Sequence, residues 1–114
     1  MNIDGQMTIF DFIEPEDDLN ELPELYEISR RVKRKFGLDM TAVYDGALRR
    51  ICYRCTVNTQ NGKTDIDIHD SEYTSIDRKG QRFVSVGISY KTSGMGAPCD
   101  SLKEIFGILE RRLL

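Results

Sequence analysis

Between Leu25 and Phe36 the apolar positions Leu25, Ile28, Val32 and Phe36 recur at spacings of three and four, the period that lines one face of a helix. The segment 22–36 is therefore predicted helical, with Pro23 suited to the first turn and Gly37 to the C-terminal cap. The period then changes to two. Ile51, Tyr53, Cys55 and Val57 fall on one side of a strand, and Arg50, Cys52, Arg54 and Thr56 on the other. Asn61-Gly62 reads as a hairpin turn into a second strand over 63–69, where Ile66 and Ile68 share a face. Beyond a polar stretch from Asp70 to Gln81, the segment 82–90 places Val84, Val86, Ile88 and Tyr90 together. Thr41–Tyr44 and Tyr73–Asp77 are candidate edge additions, so the sheet is expected to hold three or four strands.

The glycines and proline of Thr92–Pro98 are expected to break the sheet and reverse the chain. Ser101 with Glu104 has the spacing of a capping box, and Leu102, Ile105, Phe106, Leu109 and Leu113 give the last helix, 101–113, its apolar stripe. These elements predict an α+β fold of order α-β-β-β-α, an antiparallel sheet with both helices on one face. The first 21 residues carry no sustained period and end in Glu14-Pro15-Glu16-Asp17-Asp18, so 1–21 reads as a flexible acidic arm and 22–114 as the domain.

Charge sharpens that division. Of 19 acids and 16 bases, eight acids and no base lie in residues 1–25, which leaves 11 acids and 16 bases, a formal +5, for the rest of the 114-residue chain. An acidic arm on a basic domain points to a nucleic-acid or acidic-protein partner, or to mutual repulsion that keeps copies apart. The strongest basic cluster is Arg30, Arg31, Lys33, Arg34 and Lys35, away from the apolar stripe of the first helix, with Arg49, Arg50 and Arg54 as neighbours to test. No apolar run approaches the ~20 residues of a membrane span, the start lacks the pattern of a secretory leader, and three cysteines are too few for a disulfide scaffold. A cytoplasmic protein with reduced thiols and no membrane partner is expected.

Candidate chemistry is sparse. Cys52 and Cys55 have CxxC spacing, and His69 and Cys99 could complete a zinc set, but residues three apart on a strand face opposite ways. The reading preferred to zinc puts Cys55 in the core and Cys52 near the surface. Asp65, Asp67 and His69 alternate on one strand face, followed by Asp70 and Glu72, and could hold Mg²⁺ for nuclease chemistry. No catalytic lysine or base accompanies them at a recognisable spacing. No enzyme, catalytic residue, metal or cofactor is expected.

The arm supplies the most specific signal. Gln6-Met7-Thr8-Ile9-Phe10 resembles the peptide by which bacterial replication and repair proteins dock on the sliding clamp, commonly Gln-Leu-Ser/Asp-Leu-Phe. The resemblance implies that Gln6 hydrogen-bonds the clamp and that Ile9 and Phe10 fill an apolar pocket; Met7 and Phe12 are further candidate partner-binding residues. It also implies a bacterial phage or mobile-element source. A competing reading folds Ile9, Phe10, Phe12 and Ile13 back onto the domain as an extra strand or plug. The domain order resembles the double-stranded-RNA-binding fold, with Arg82–Leu114 as its last strand, loop and helix. Where that family carries a lysine cluster to grip phosphates, this chain has Ala97, Pro98, Cys99, Asp100 and Ser101, so the resemblance implies topology and not RNA binding. The function expected is non-enzymatic recruitment to the replication clamp, with the domain contacting DNA or a replisome protein. The alternatives are an inhibitor of a host nucleic-acid machine, such as an anti-CRISPR, and a small metal-dependent nuclease.

Overall fold

The helical stripe and the alternating strands resolve, in the computed structural model, into two helices on one face of a five-stranded sheet; the structure describes residues 19–60, 62–91 and 93–113. The elements are α1 (Leu25–Phe36), β1 (Thr41–Asp45), β2 (Arg50–Thr59), β3 (Gly62–Glu72), β4 (Arg82–Tyr90), β5 (Ser93–Cys99) and α2 (Leu102–Leu113). The strands form an antiparallel meander in the order β1-β2-β3-β4-β5.

The stripe of α1 is inward: Leu25, Ile28 and Val32 are buried, and Phe36 meets Phe106 of α2 edge to face at 5.6 Å. Gly37 ends the helix in the left-handed region, φ 74°, where its N–H donates to the Lys33 carbonyl at 2.8 Å. Glu27 in the first turn and Lys33, Arg34 and Lys35 in the last complement the helix dipole. In α2 the Ser101 hydroxyl accepts from the Glu104 N–H at 3.3 Å, while the Glu104 carboxylate accepts from the Asp100 N–H at 2.9 Å, a capping arrangement close to that expected. Between the layers lie Ile66, Ile68, Val84, Val86, Ile88 and Cys99 from the sheet and Leu102, Ile105 and Leu109 from α2.

The candidate edge strand at Thr41–Tyr44 is present, and the sheet departs from expectation at Tyr73–Asp77 and at 93–99. Thr41–Asp45 is a strand in its own right, closing a four-residue turn to β2 through Asp45, whose Oδ1 accepts from the Ala47 and Leu48 N–H groups, each at 2.9 Å. Tyr73–Asp77 is not a strand; the Tyr73 N–H donates to the Gln81 carbonyl at 2.9 Å and the Gly80 N–H to the Tyr73 carbonyl at 3.0 Å, so the segment continues the β3–β4 hairpin as a loop. The glycine-bearing segment 93–99 does not break the sheet but pairs along its length with β4, from Tyr90↔Ser93 to Val84↔Cys99. Met95, Ala97 and Cys99 take the helix side, and Gly94, Gly96 and Pro98 the other. Proline is tolerated because β5 is an edge. Among the described residues the order is thus α-β-β-β-β-β-α, with two more strands than the double-stranded-RNA-binding pattern.

Leu19 and Leu22 pack against the core, and the chain that follows is stapled to the sheet end. Arg82 donates to the Asp70 carboxylate at 2.8 Å and to the Leu22 and Pro23 carbonyls, each at 2.7 Å; the Leu102 N–H donates to the Glu21 carbonyl at 2.7 Å. Arg82→Met keeps the stem but removes these donors, leaving two carbonyls without their partner. It should cost about 2 kcal/mol, read as a lower urea midpoint at unchanged slope.

Candidate functional site

The sheet face turned away from the helices carries the polar side chains of β2 and β3, with glycine and proline on β5. Across it run the rows Thr41–Arg54–Asp67–Gly87–Gly96 and Thr56–Asp65–Ser89–Gly94. At the centre Arg54 bonds the Asp45 carboxylate and lies 3.8 Å from Asp67, while Thr56 donates to Asp65 at 2.7 Å. Gly87 leaves the space this needs: a Cβ there would stand 3.0 Å from Asp67 Oδ1. The Asp45 carboxyl is held below the usual carboxylate range, first by the Leu48 N–H and then by Arg54. The stabilisation this gives the β1–β2 turn is present at neutral pH and lost as pH falls through the depressed value.

Asp65, Asp67 and His69 do share this face, yet they do not converge. His69 Nδ1 is 3.8 Å from Asp67 Oδ1, beyond hydrogen-bonding reach, and finds no partner among the described residues. Among those residues no group of three histidine, cysteine or carboxylate side chains is placed to hold a metal ion. The face offers paired charges and hydroxyls on a pleated surface, chemistry suited to recognition.

The thiols depart from the expected arrangement. Cys52 and Cys55 point to opposite faces, but Cys52 is the fully buried one and Cys55 only partly covered. Cys52 turns its Sγ toward the Arg50 carbonyl, 4.0 Å away, and sits beside the Asp45–Arg54–Asp67 cluster. Cys55 lies on the helix side, but the helices pack chiefly over β3, β4 and β5 and leave β2 partly open. Burial raises the pKa of all three thiols, that of Cys99 to about 11.

The basic residues of α1 are displayed with partners of their own. Arg30 and Arg31 share Glu27 at 3.1 and 3.0 Å, Lys33 is 3.6 Å from Asp39, and Lys35 lies over the Phe106 and Phe36 rings at 5.6 and 5.8 Å. With Arg34, five cations against Glu27 leave the helix at a formal +4. The Arg30–Glu27 and Lys33–Asp39 pairs are exposed and therefore weak, whereas Arg31 is largely covered where it meets Glu27. Arg49 and Arg50 stand apart at the β1–β2 turn, Arg50 donating to the Leu48 and Asp70 carbonyls. Gln6, Met7, Ile9, Phe10 and Phe12 lie outside the described residues.

Sequence reasoning missed two features: the Asp45–Arg54 pair, nine residues apart, and an exposed apolar group of Tyr26, Tyr44, Leu48 and Ile51. Alternation could assign Tyr44 and Ile51 to one side, but not reveal that the helices stop short of them. No family model matches the chain, and no curated protein and no solved structure matches it. Among the described residues no helix is long and apolar enough to cross a membrane.

Proposed function

We propose that this protein is a non-enzymatic accessory factor of a bacterial phage or mobile element, recruited to the replication sliding clamp by Gln6–Phe10. The observation that carries the reading is the peptide Gln6-Met7-Thr8-Ile9-Phe10, set on an acidic segment that joins the domain at Leu19. The stapling of Glu21, Leu22 and Pro23 to α2 and Arg82 supports it, because it gives the peptide a fixed point of attachment. Burying Ile9 and Phe10 in a pocket would contribute about 3–6 kcal/mol, Gln6 would add hydrogen bonds, and ordering the segment would subtract, so affinity falls in the micromolar range. The domain then presents the cations of α1 to DNA or to an acidic replisome protein, a contact that weakens steeply with added salt.

Calorimetry with a bacterial sliding clamp tests the reading. The full chain should bind at micromolar concentration. Phe10→Ala should lose about 2–3 kcal/mol, enough to remove detectable binding at tens of micromolar, and Gln6→Ala should weaken it less. Neither should change the melting temperature of the domain. Absence of binding by the wild type, or a large melting-temperature drop for Phe10→Ala, would refute the proposal in favour of a peptide packed into the fold.

A further inference from the structure

The helices leave one flank of the sheet uncovered. Among the described residues the helices pack chiefly over β3, β4 and β5; Tyr53, Cys55 and Val57 of β2 still pack partly against the core, but Tyr44 of β1 and Ile51 at the start of β2 are left exposed. Tyr44 and Ile51, paired across the β1–β2 ladder, are 65% and 49% exposed, and beside them Tyr26 of α1 is 58% and Leu48 of the turn 39% exposed. Isolated apolar residues on a surface are ordinary, but four large ones grouped at one sheet margin mark an interaction site. The margin is also an edge. Among the described residues β1 pairs with β2 alone, so the outward N–H and C=O groups of Thr41–Asp45 face away from the sheet. Edge strands are commonly blocked by proline, lysine or a bulge. β5, the opposite edge, contains Pro98 and two glycines, whereas Thr41-Ala42-Val43-Tyr44-Asp45 has none of these and pairs with β2 without a bulge.

We infer that the β1 edge, with Tyr44 and Ile51, is the interface for a second copy of this chain, joining two sheets antiparallel about a two-fold axis at Val43. The sequence of the edge is complementary to itself in this register. On the helix side the Tyr44 ring stands opposite the partner's Ala42, and Ala42 opposite the partner's Tyr44, so each large side chain meets a small one. On the other side Val43 meets the partner's Val43, and Asp45 meets the partner's Thr41, a carboxylate against a hydroxyl with no like charges in register. Thr41 pairs within its own sheet with Arg54, so each Asp45 approaches the partner's Arg54 as well as its own. An isologous contact of this kind closes at two copies, because among the described residues each β1 has one edge without a partner strand. Pairing through one five-residue strand should be weak, with a dissociation constant in the micromolar range. It stands independently of clamp docking.

Sedimentation velocity of the full chain from about 5 to about 300 µM should show a monomer–dimer equilibrium. The exposed pair Tyr44→Lys/Ile51→Lys should raise the dissociation constant at least about 50-fold with secondary structure and melting temperature retained, since neither side chain is core. Because Val43 pairs with Cys52 inside its own sheet, the cross-link is made in a Cys52→Ala background: there Val43→Cys should give a disulfide-linked dimer on mild oxidation, whereas Lys63→Cys, on an exposed position away from this edge, should not. The Val43→Cys result decides the matter if the lysine pair impairs folding. Phe10→Ala/Phe12→Ala should dimerise as the wild type does. A monomer at every concentration, a dimer insensitive to the lysine pair, or a dimer lost in the Phe10→Ala/Phe12→Ala variant would overturn the inference, the last by showing that the N-terminal segment makes the contact.

Discussion

Ile68→Ala is expected to lower the unfolding free energy by about 3–4 kcal/mol, near the upper part of the range for removing a buried branched side chain. Ile68 is fully buried on β3, the central strand, between Tyr53 of β2 and Val86 of β4. The helices cover this face, so the space left by the missing atoms is bounded on every side and cannot collapse without moving the sheet. In a domain of this size the loss corresponds to a fall of roughly 15–25 °C in melting temperature. Calorimetric melting checks it, and a change below about 1 kcal/mol would mean that Ile68 is not in a packed core. Ile76→Ala is the matched control: this isoleucine is 98% exposed in the β3–β4 loop and should be neutral within about 0.5 kcal/mol.

The second large effect is on the alkaline side of the stability profile. Cys99 is fully buried beneath α2, and burial pushes its thiol up to about 11 from an ordinary value near 9. Between those values the unfolded chain has released a proton that the folded chain retains. Stability is therefore unaffected below about pH 9 and declines as pH rises toward 11, by about 1.4 kcal/mol per unit and about 2–3 kcal/mol in total. Cys52 and Cys55 are raised in the same direction by burial and steepen the decline. Urea unfolding at pH 8, 9.5 and 11 should show a smaller loss for Cys99→Ala than for the wild type. Equal slopes would place the Cys99 thiol in contact with water. The same burial predicts that Cys52 and Cys99 resist alkylation at neutral pH until the protein is unfolded.

Among the described residues, charge is displayed by the α1 cations and by the paired Arg54, Asp45 and Asp67, and exposed apolar surface by Tyr44 and Ile51 of β1 and β2. In the proposed dimer the two domains join at Val43, and two copies of Gln6–Phe10 would be carried by one particle. Two linked peptides raise the effective concentration of the second once the first is bound.

Local periodicity determined a large part of this fold. The stripes of Leu25, Ile28, Val32 and of Leu102, Ile105, Leu109, and the alternation in 49–58, 63–69 and 82–90, place side chains on a face whatever the rest of the chain does, and all of these elements are present, the second strand running on to Glu72 through pairing with β4. The location of Arg30, Arg31, Lys33, Arg34 and Lys35 on α1 and of Asp65, Asp67 and His69 on one face of β3 follows from the same rule. Tertiary structure decided what periodicity cannot carry. β5 was hidden because glycine at 94 and 96 has no side chain to mark the alternation, and only pairing with β4 makes the segment a strand. Cys52 is buried on the polar face because a cluster drawn from β1, β2 and β3 gathers beside it, a contact no spacing within one strand encodes. Tyr44 and Ile51 are exposed although they share the apolar side of their strands, because alternation states which side a residue takes, while the placement of two short helices over five strands states whether that side is covered.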